Sequence, residues 1–163
     1  SAAVIWEIRI KQAIGKLILL DPGLSEVFAQ SYPTMPVYVE NQNNPDGSYY
    51  LISFVDGQTS WRPRSPVSVP QQQVNIVVLI DAETGQLKEL SWVPEPVSYL
   101  QITPDIAVDL IYDYLVDQGY TDLDDSEFEC RYIYRDLSPL YPEIQVETPF
   151  GVFYVNQQEI ITT

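Results

Sequence analysis

The feature that most constrains this chain is a repeated order: a segment of helical periodicity followed by short β-rich runs, met first from residue 4 and again from residue 103. In the first segment, 4–20, Ile10, Ala13, Ile14, Leu17 and Ile18 fall at helical spacings and leave Arg9, Lys11, Gln12 and Lys16 for the wet side. Asp21-Pro22-Gly23 stops that helix, because proline and glycine in succession disfavour its continuation, and 24–30 is expected to form a short second helical piece. The texture then changes to runs rich in β-branched and aromatic residues at 35–39, 49–55, 74–80 and 87–93. Asn43-Asn44-Pro45-Asp46-Gly47 and Asp81-Ala82-Glu83-Thr84-Gly85 are turn sequences, so the strands that each joins are expected to be antiparallel neighbours.

The second block opens with Thr103-Pro104-Asp105, a capping residue, a proline at the first helical position and an early acid. Ile106, Ala107, Leu110, Ile111, Tyr114 and Leu115 follow on one face, Asp109, Asp113 and Asp117 turn to water, and Gly119 ends the helix. Strands are expected at 128–135, 143–148 and 151–156, with 159–163 as a last edge. A helix laid across a curved antiparallel sheet buries the apolar face of each. The expected fold is therefore α+β, two helix-plus-antiparallel-sheet units packed together. The first covers 1–96, with helix 4–20, strands and a long loop at 56–73; the second covers 97–163, with helix 103–118 and strands.

Charge narrows the function. The 163 residues hold 8 basic and 23 acidic side chains, a net charge of −15, which repels nucleic-acid phosphates and anionic lipid headgroups. No nucleic-acid partner is expected; a basic protein is a natural one, although an acidic surface also serves solubility alone. The 45% hydrophobic content excludes a disordered chain. No apolar run approaches the roughly 20 residues of a membrane helix. Ser1-Ala2-Ala3 lacks the basic start of a signal sequence, so direct membrane insertion is not expected and any signal peptide or anchor is expected to have been removed before Ser1.

The absence of histidine removes Ser-His-Asp and Cys-His catalysis and the His-Glu-x-x-His zinc helix together. No glycine-rich phosphate loop is present, and no cofactor is expected. The single Cys130 excludes an internal disulfide and a multi-cysteine zinc site. It shares a strand face with Phe128, Tyr132 and Tyr134 and reads as a core thiol. Asp122-Leu123-Asp124-Asp125-Ser126-Glu127 suggests calcium, but an EF-hand needs glycine at its sixth position and glutamate at its twelfth, where Glu127 and Ile133 stand, so a solvated turn is expected. Asp105, Asp109, Asp113 and Asp117 form an acidic helix face, either simply solvated or a docking stripe for a basic protein. Within 56–73, Trp61, Arg62 and Arg64 combine an aromatic ring with cations as binding hot spots do, and they are the candidate contact residues; the other reading folds Trp61 back over the sheet.

Tyr49-Tyr50-Leu51-Ile52-Ser53-Phe54 and Val77-Val78-Leu79-Ile80-Asp81-Ala82-Glu83-Thr84-Gly85-Gln86-Leu87, preceded by a helix, resemble the motif pair of PepSY domains, a family with a cystatin-like fold. The resemblance covers roughly residues 4–93; Gly151-Val152-Phe153-Tyr154-Val155-Asn156 keeps the rhythm in the second block without the Asp-x-x-Thr-Gly signature. What it implies is a non-catalytic binding or regulatory module, secreted or envelope-associated, that binds or inhibits a peptidase. The alternatives are an intracellular acidic interaction protein, such as an immunity protein or nucleic-acid mimic, and a hydrolase working with paired carboxylates.

Overall fold

A computed structural model describes residues 11–56 apart from 13, 17 and 35, together with 73–135, 138–157 and 160–162. The fold is mixed α+β and dominated by strands. Two compact units divide the chain. One comprises the described residues of Ser1–Val37 and Tyr49–Tyr99, the other those of Tyr38–Ser48 and Leu100–Thr163.

In the first unit, helical residues among 11–20 (α1) and α2 (Leu24–Ala29) accompany β1 (Ser31–Pro33), β3 (Tyr49–Asp56), β4 (Gln73–Asp81) and β5 (Leu87–Ser98), while β2 (Val37–Asn41) passes into the second unit. The break between α1 and α2 forms where proline and glycine require it, with the Asp21 carboxylate accepting from the Gly23 N–H at 3.1 Å. β3 pairs antiparallel with both β1 and β4, and β4 with β5. Ile52, Phe54, Ile76, Val78 and Ile80 form one face of this sheet, and Ile14 of α1 and Phe28 of α2 pack on it. Phe28 meets Phe54 edge-on at 5.5 Å between ring centroids. β5 extends to Ser98 instead of ending at 93 as expected. The register jumps from Ile76↔Trp92 to Val74↔Val97, so residues 93–96, with Pro94 and Pro96, fall in an irregular stretch where missing N–H groups break no ladder.

The second unit holds α3 (Pro104–Asp117), β6 (Glu129–Tyr134), β7 (Glu143–Thr148), β8 (Gly151–Val155) and β9 (Ile160–Thr162), together with most of β2. Its strand order is β2-β6-β7-β8-β9, antiparallel throughout except that β2 runs parallel to β6, with Val39↔Tyr132 and Asn41↔Tyr134. This pairing explains why a single cut at 96/97 does not describe the units: residues 38–48 belong with the second. The turn after β2 is fastened to the same unit. Asn41 accepts from the N–H groups of Asn43 and Asn44, the Gln42 N–H reaches the Tyr134 carbonyl at 3.0 Å, and the Asn43 amide donates to the Arg135 carbonyl.

α3 forms as its sequence dictates. Thr103 accepts from the Ile106 N–H, Pro104 opens the first turn, and Ala107, Ile111 and Leu115 lie on one stripe that buries against Ile144, Val146, Phe153 and Val155. Burying each of the larger side chains contributes about 1.5–3 kcal/mol. Gly119, at φ 93°, closes the helix, with the Gly119 N–H on the Val116 carbonyl and the Tyr120 N–H on that of Leu115, the paired bonds of a Schellman end. Ile106, placed on the apolar face by spacing, is 43% exposed.

Candidate functional site

Trp61, Arg62 and Arg64, with the rest of 57–72, lie outside the described residues. Among the described residues, a buried polar arrangement lies on the face of the second unit's strands opposite α3. Side chains alternate across a strand, so while Ile144, Val146, Phe153 and Val155 meet the helix, Glu143, Gln145 and Tyr154 point the other way with Arg131 and Ile133. Three of these polar side chains are buried there: Glu143 is 2% exposed, Gln145 7% and Tyr154 9%.

A buried carboxylate is tolerated only when its charge and lone pairs are met. Both Glu143 oxygens are held by Arg135, with Nε on Oε1 at 3.1 Å and an Nη on Oε2 at 3.0 Å. This bidentate fork fixes both side chains in one plane. The guanidinium lies over the Tyr154 ring at 3.6 Å from its centroid, and the Tyr154 hydroxyl in turn accepts from the Gln145 amide at 3.3 Å. Nearby, Arg131 bridges Glu40 of β2 and Glu147 of β7, both at 3.2 Å. It offsets the direct opposition of Glu129 and Glu147 in the β6–β7 register. As an exposed pair system it contributes little to stability and more to holding β2 in place. Among the described residues no buried side-chain polar atom lacks a partner.

Chemically, this arrangement is closed. A general acid or nucleophile must present a free oxygen to substrate, and Glu143 has both oxygens in the fork. Sequence reasoning missed the cluster because Glu143 and Gln145 alternate with Ile144 and Val146, the pattern of a strand with one solvated face.

The other singled-out residues are placed as follows. Asp81 accepts from the N–H groups of Glu83 at 2.9 Å and Thr84 at 2.8 Å, the Thr84 hydroxyl accepts from the Gln86 N–H at 3.2 Å, and Gly85 has φ 72°. The motif that carries the family resemblance is thus a hairpin clasp. The Thr84 N–H holds the Asp81 carboxyl below the usual aspartate range, opposed by some desolvation and helped by Glu83, the Thr84 hydroxyl and Lys88. Asp124 caps the short turn Asp125–Glu127 by accepting from the Ser126 hydroxyl and N–H, which lower its pKa. Among the described residues no group of histidine, cysteine and acidic side chains is arranged to hold a metal. Cys130 is half-buried against the α3 core, and burial, followed by the Asp105 charge, pushes its thiol pKa up, so it is a poor nucleophile. Asp105, Asp109, Asp113 and Asp117 are all exposed along α3.

Among the described residues no helix is long and apolar enough to cross a membrane. No family model matches the chain, and neither a curated protein nor a solved structure does.

Proposed function

We propose that this chain is a non-catalytic binding or regulatory module, built of two PepSY-like, cystatin-like helix-plus-sheet units, that works in the cell envelope or outside the cell by engaging another protein. The observation that carries this reading is the fork of Arg135 on Glu143: among the described residues, the carboxylate best shielded from water is occupied by a cation and serves as scaffold. The Asp81–Thr84–Gly85 clasp also supports it, since it joins β4 to β5 at the position where the PepSY motif places its hairpin. The partner fits a peptidase or a basic protein, held by steric occlusion. Trp61, Arg62 and Arg64 supply the contact through the 56–73 loop, where an aromatic ring and cations concentrate in a chain otherwise poor in basic residues.

The net charge of −15 favours one second reading, an acidic interaction protein whose charge is itself the active feature. Affinity capture from the native source with the intact protein beside Trp61→Ala separates the outcomes. Loss of capture at unchanged thermal stability is expected. A large stability loss would assign Trp61 to the core, and equal capture would remove the loop from the interface.

A further inference from the structure

The outer face of α3 carries a second, separate surface. With Ala107, Ile111 and Leu115 turned to the core, the opposite side presents Asp105, Asp109 and Asp113, and Ile106 and Val116 sit among them at 43% and 49% exposure. Asp117 follows in the last turn, which holds no basic residue, at the negative end of the helix dipole. The Schellman end then delivers Tyr120 onto Phe150 of the β7–β8 turn, rings 4.7 Å apart, 42% and 40% exposed. Exposed aromatic and aliphatic side chains grouped in this way mark contact surfaces.

Charge says what covers them. No lysine or arginine occurs between Lys88 and Arg131, while Asp122, Asp124, Asp125 and Glu127 extend the exposed acid beyond the helix. Aspartates four residues apart repel one another, and an acid in the last turn opposes the dipole. Each of these unfavourable terms is relieved by a cation brought to the face, and none is relieved by a neutral or acidic one.

We infer that this face docks a basic, amphipathic segment of another protein, its apolar side chains on Val116, Tyr120 and Phe150 and its lysines or arginines on Asp109, Asp113 and Asp117. The inference rests on the binding-module reading but uses residues other than Trp61, Arg62 and Arg64. The probe is a fluorescent Lys/Leu peptide patterned as an amphipathic helix, titrated beside a scrambled isomer of equal charge and beside spermine. Binding that is tighter than the isomer's by about tenfold and falls with salt is expected. Asp109→Lys with Asp113→Lys weakens it by about tenfold and Phe150→Ala by about threefold, with no change for Glu83→Lys, an exposed acid of the other unit. If circular dichroism shows the lysine pair unfolded, the Asp109→Asn, Asp113→Asn pair carries the same comparison.

Equal binding of the isomer, spermine binding as tight as the peptide's, an unaffected aspartate pair, or an equal loss in Glu83→Lys would each overturn the site. The two levels fail separately. Capture of a native partner that survives the aspartate changes removes only this surface, whereas an intact protein that captures nothing removes the module reading itself.

Discussion

In each unit the strands bury a second face as well as the one that carries the helical residues, and they do it with opposite chemistry. In the first unit that face carries Leu51, Val77 and Leu79, all under 8% exposed and joined by Tyr49. In the second it carries Ile133 together with Glu143, Gln145 and Tyr154, each at or below 9% exposure, beside the exposed Arg131. Apolar burial is non-directional and tolerates small shifts. A buried ion pair is satisfied in one geometry, so the strands of the second unit gain specificity of register at a desolvation cost that those of the first avoid. The lesson is that burial alone does not mark a site, since the residues that resemble an active centre here are the ones most completely neutralised.

The largest test of that contrast is Arg135→Ala, which removes both donors of the fork from the buried Glu143 carboxyl. Chemical denaturation should show a loss of about 3–5 kcal/mol. Replacing both partners at once, Arg135→Met with Glu143→Leu, should restore stability to near or above that of the parent, because the desolvation cost disappears with the charges. If the double variant is no better than the single one, the polar face is not held as described. Leu79→Ala, on the matching strand face of the first unit, should cost about 3 kcal/mol through lost transfer energy and a residual cavity, with no partner change able to rescue it. A loss below about 1 kcal/mol would mean that this face collapses readily or admits water.

What the sequence made legible follows the range of the interactions. α3 could be read almost residue by residue because its determinants lie within one turn of each other: the Thr103 cap, Pro104, the spacing of Ala107, Ile111 and Leu115, and Gly119. The Asp81–Gly85 clasp was equally local. The parallel pairing of β2 with β6 was not legible, since no turn encodes it and nothing near residues 38–48 names a partner around residue 132. The near-continuous apolar run of β4 does carry the signal of a strand covered on both faces. The alternation in β7 carries the opposite signal, so Glu143 and Gln145 read as solvated until Arg135 and Tyr154 are seen beside them. Of the proposed docking face, the acidic helix stripe was visible as a spacing of four, whereas the Tyr120–Phe150 pair joins a helix end to a distant turn and has no local signature.

The smallest effect contrasts two of the hairpin turns, β4–β5 and β7–β8. The first is clasped by a charge, Asp81 accepting from the Glu83 and Thr84 N–H groups; the second by a neutral hydroxyl, Thr148 Oγ1 accepting from the Phe150 N–H at 3.0 Å and donating to the Gly151 carbonyl. A carboxyl whose folded pKa lies below its unfolded value contributes stability that is fully present above the unfolded value and is lost as pH falls through the folded one. Acidification from neutral to below the ordinary aspartate range should therefore weaken the first clasp and leave the second intact. Amide hydrogen exchange, corrected for the intrinsic pH dependence, should show protection falling at Thr84 while Phe150 holds. Asp81→Ala should already show low protection at Thr84 at neutral pH and change no further with acid. Equal loss at both turns would point to general acid unfolding, and protection at Thr84 that is independent of pH would mean the charge of Asp81 contributes nothing to the hairpin that its backbone geometry does not already supply.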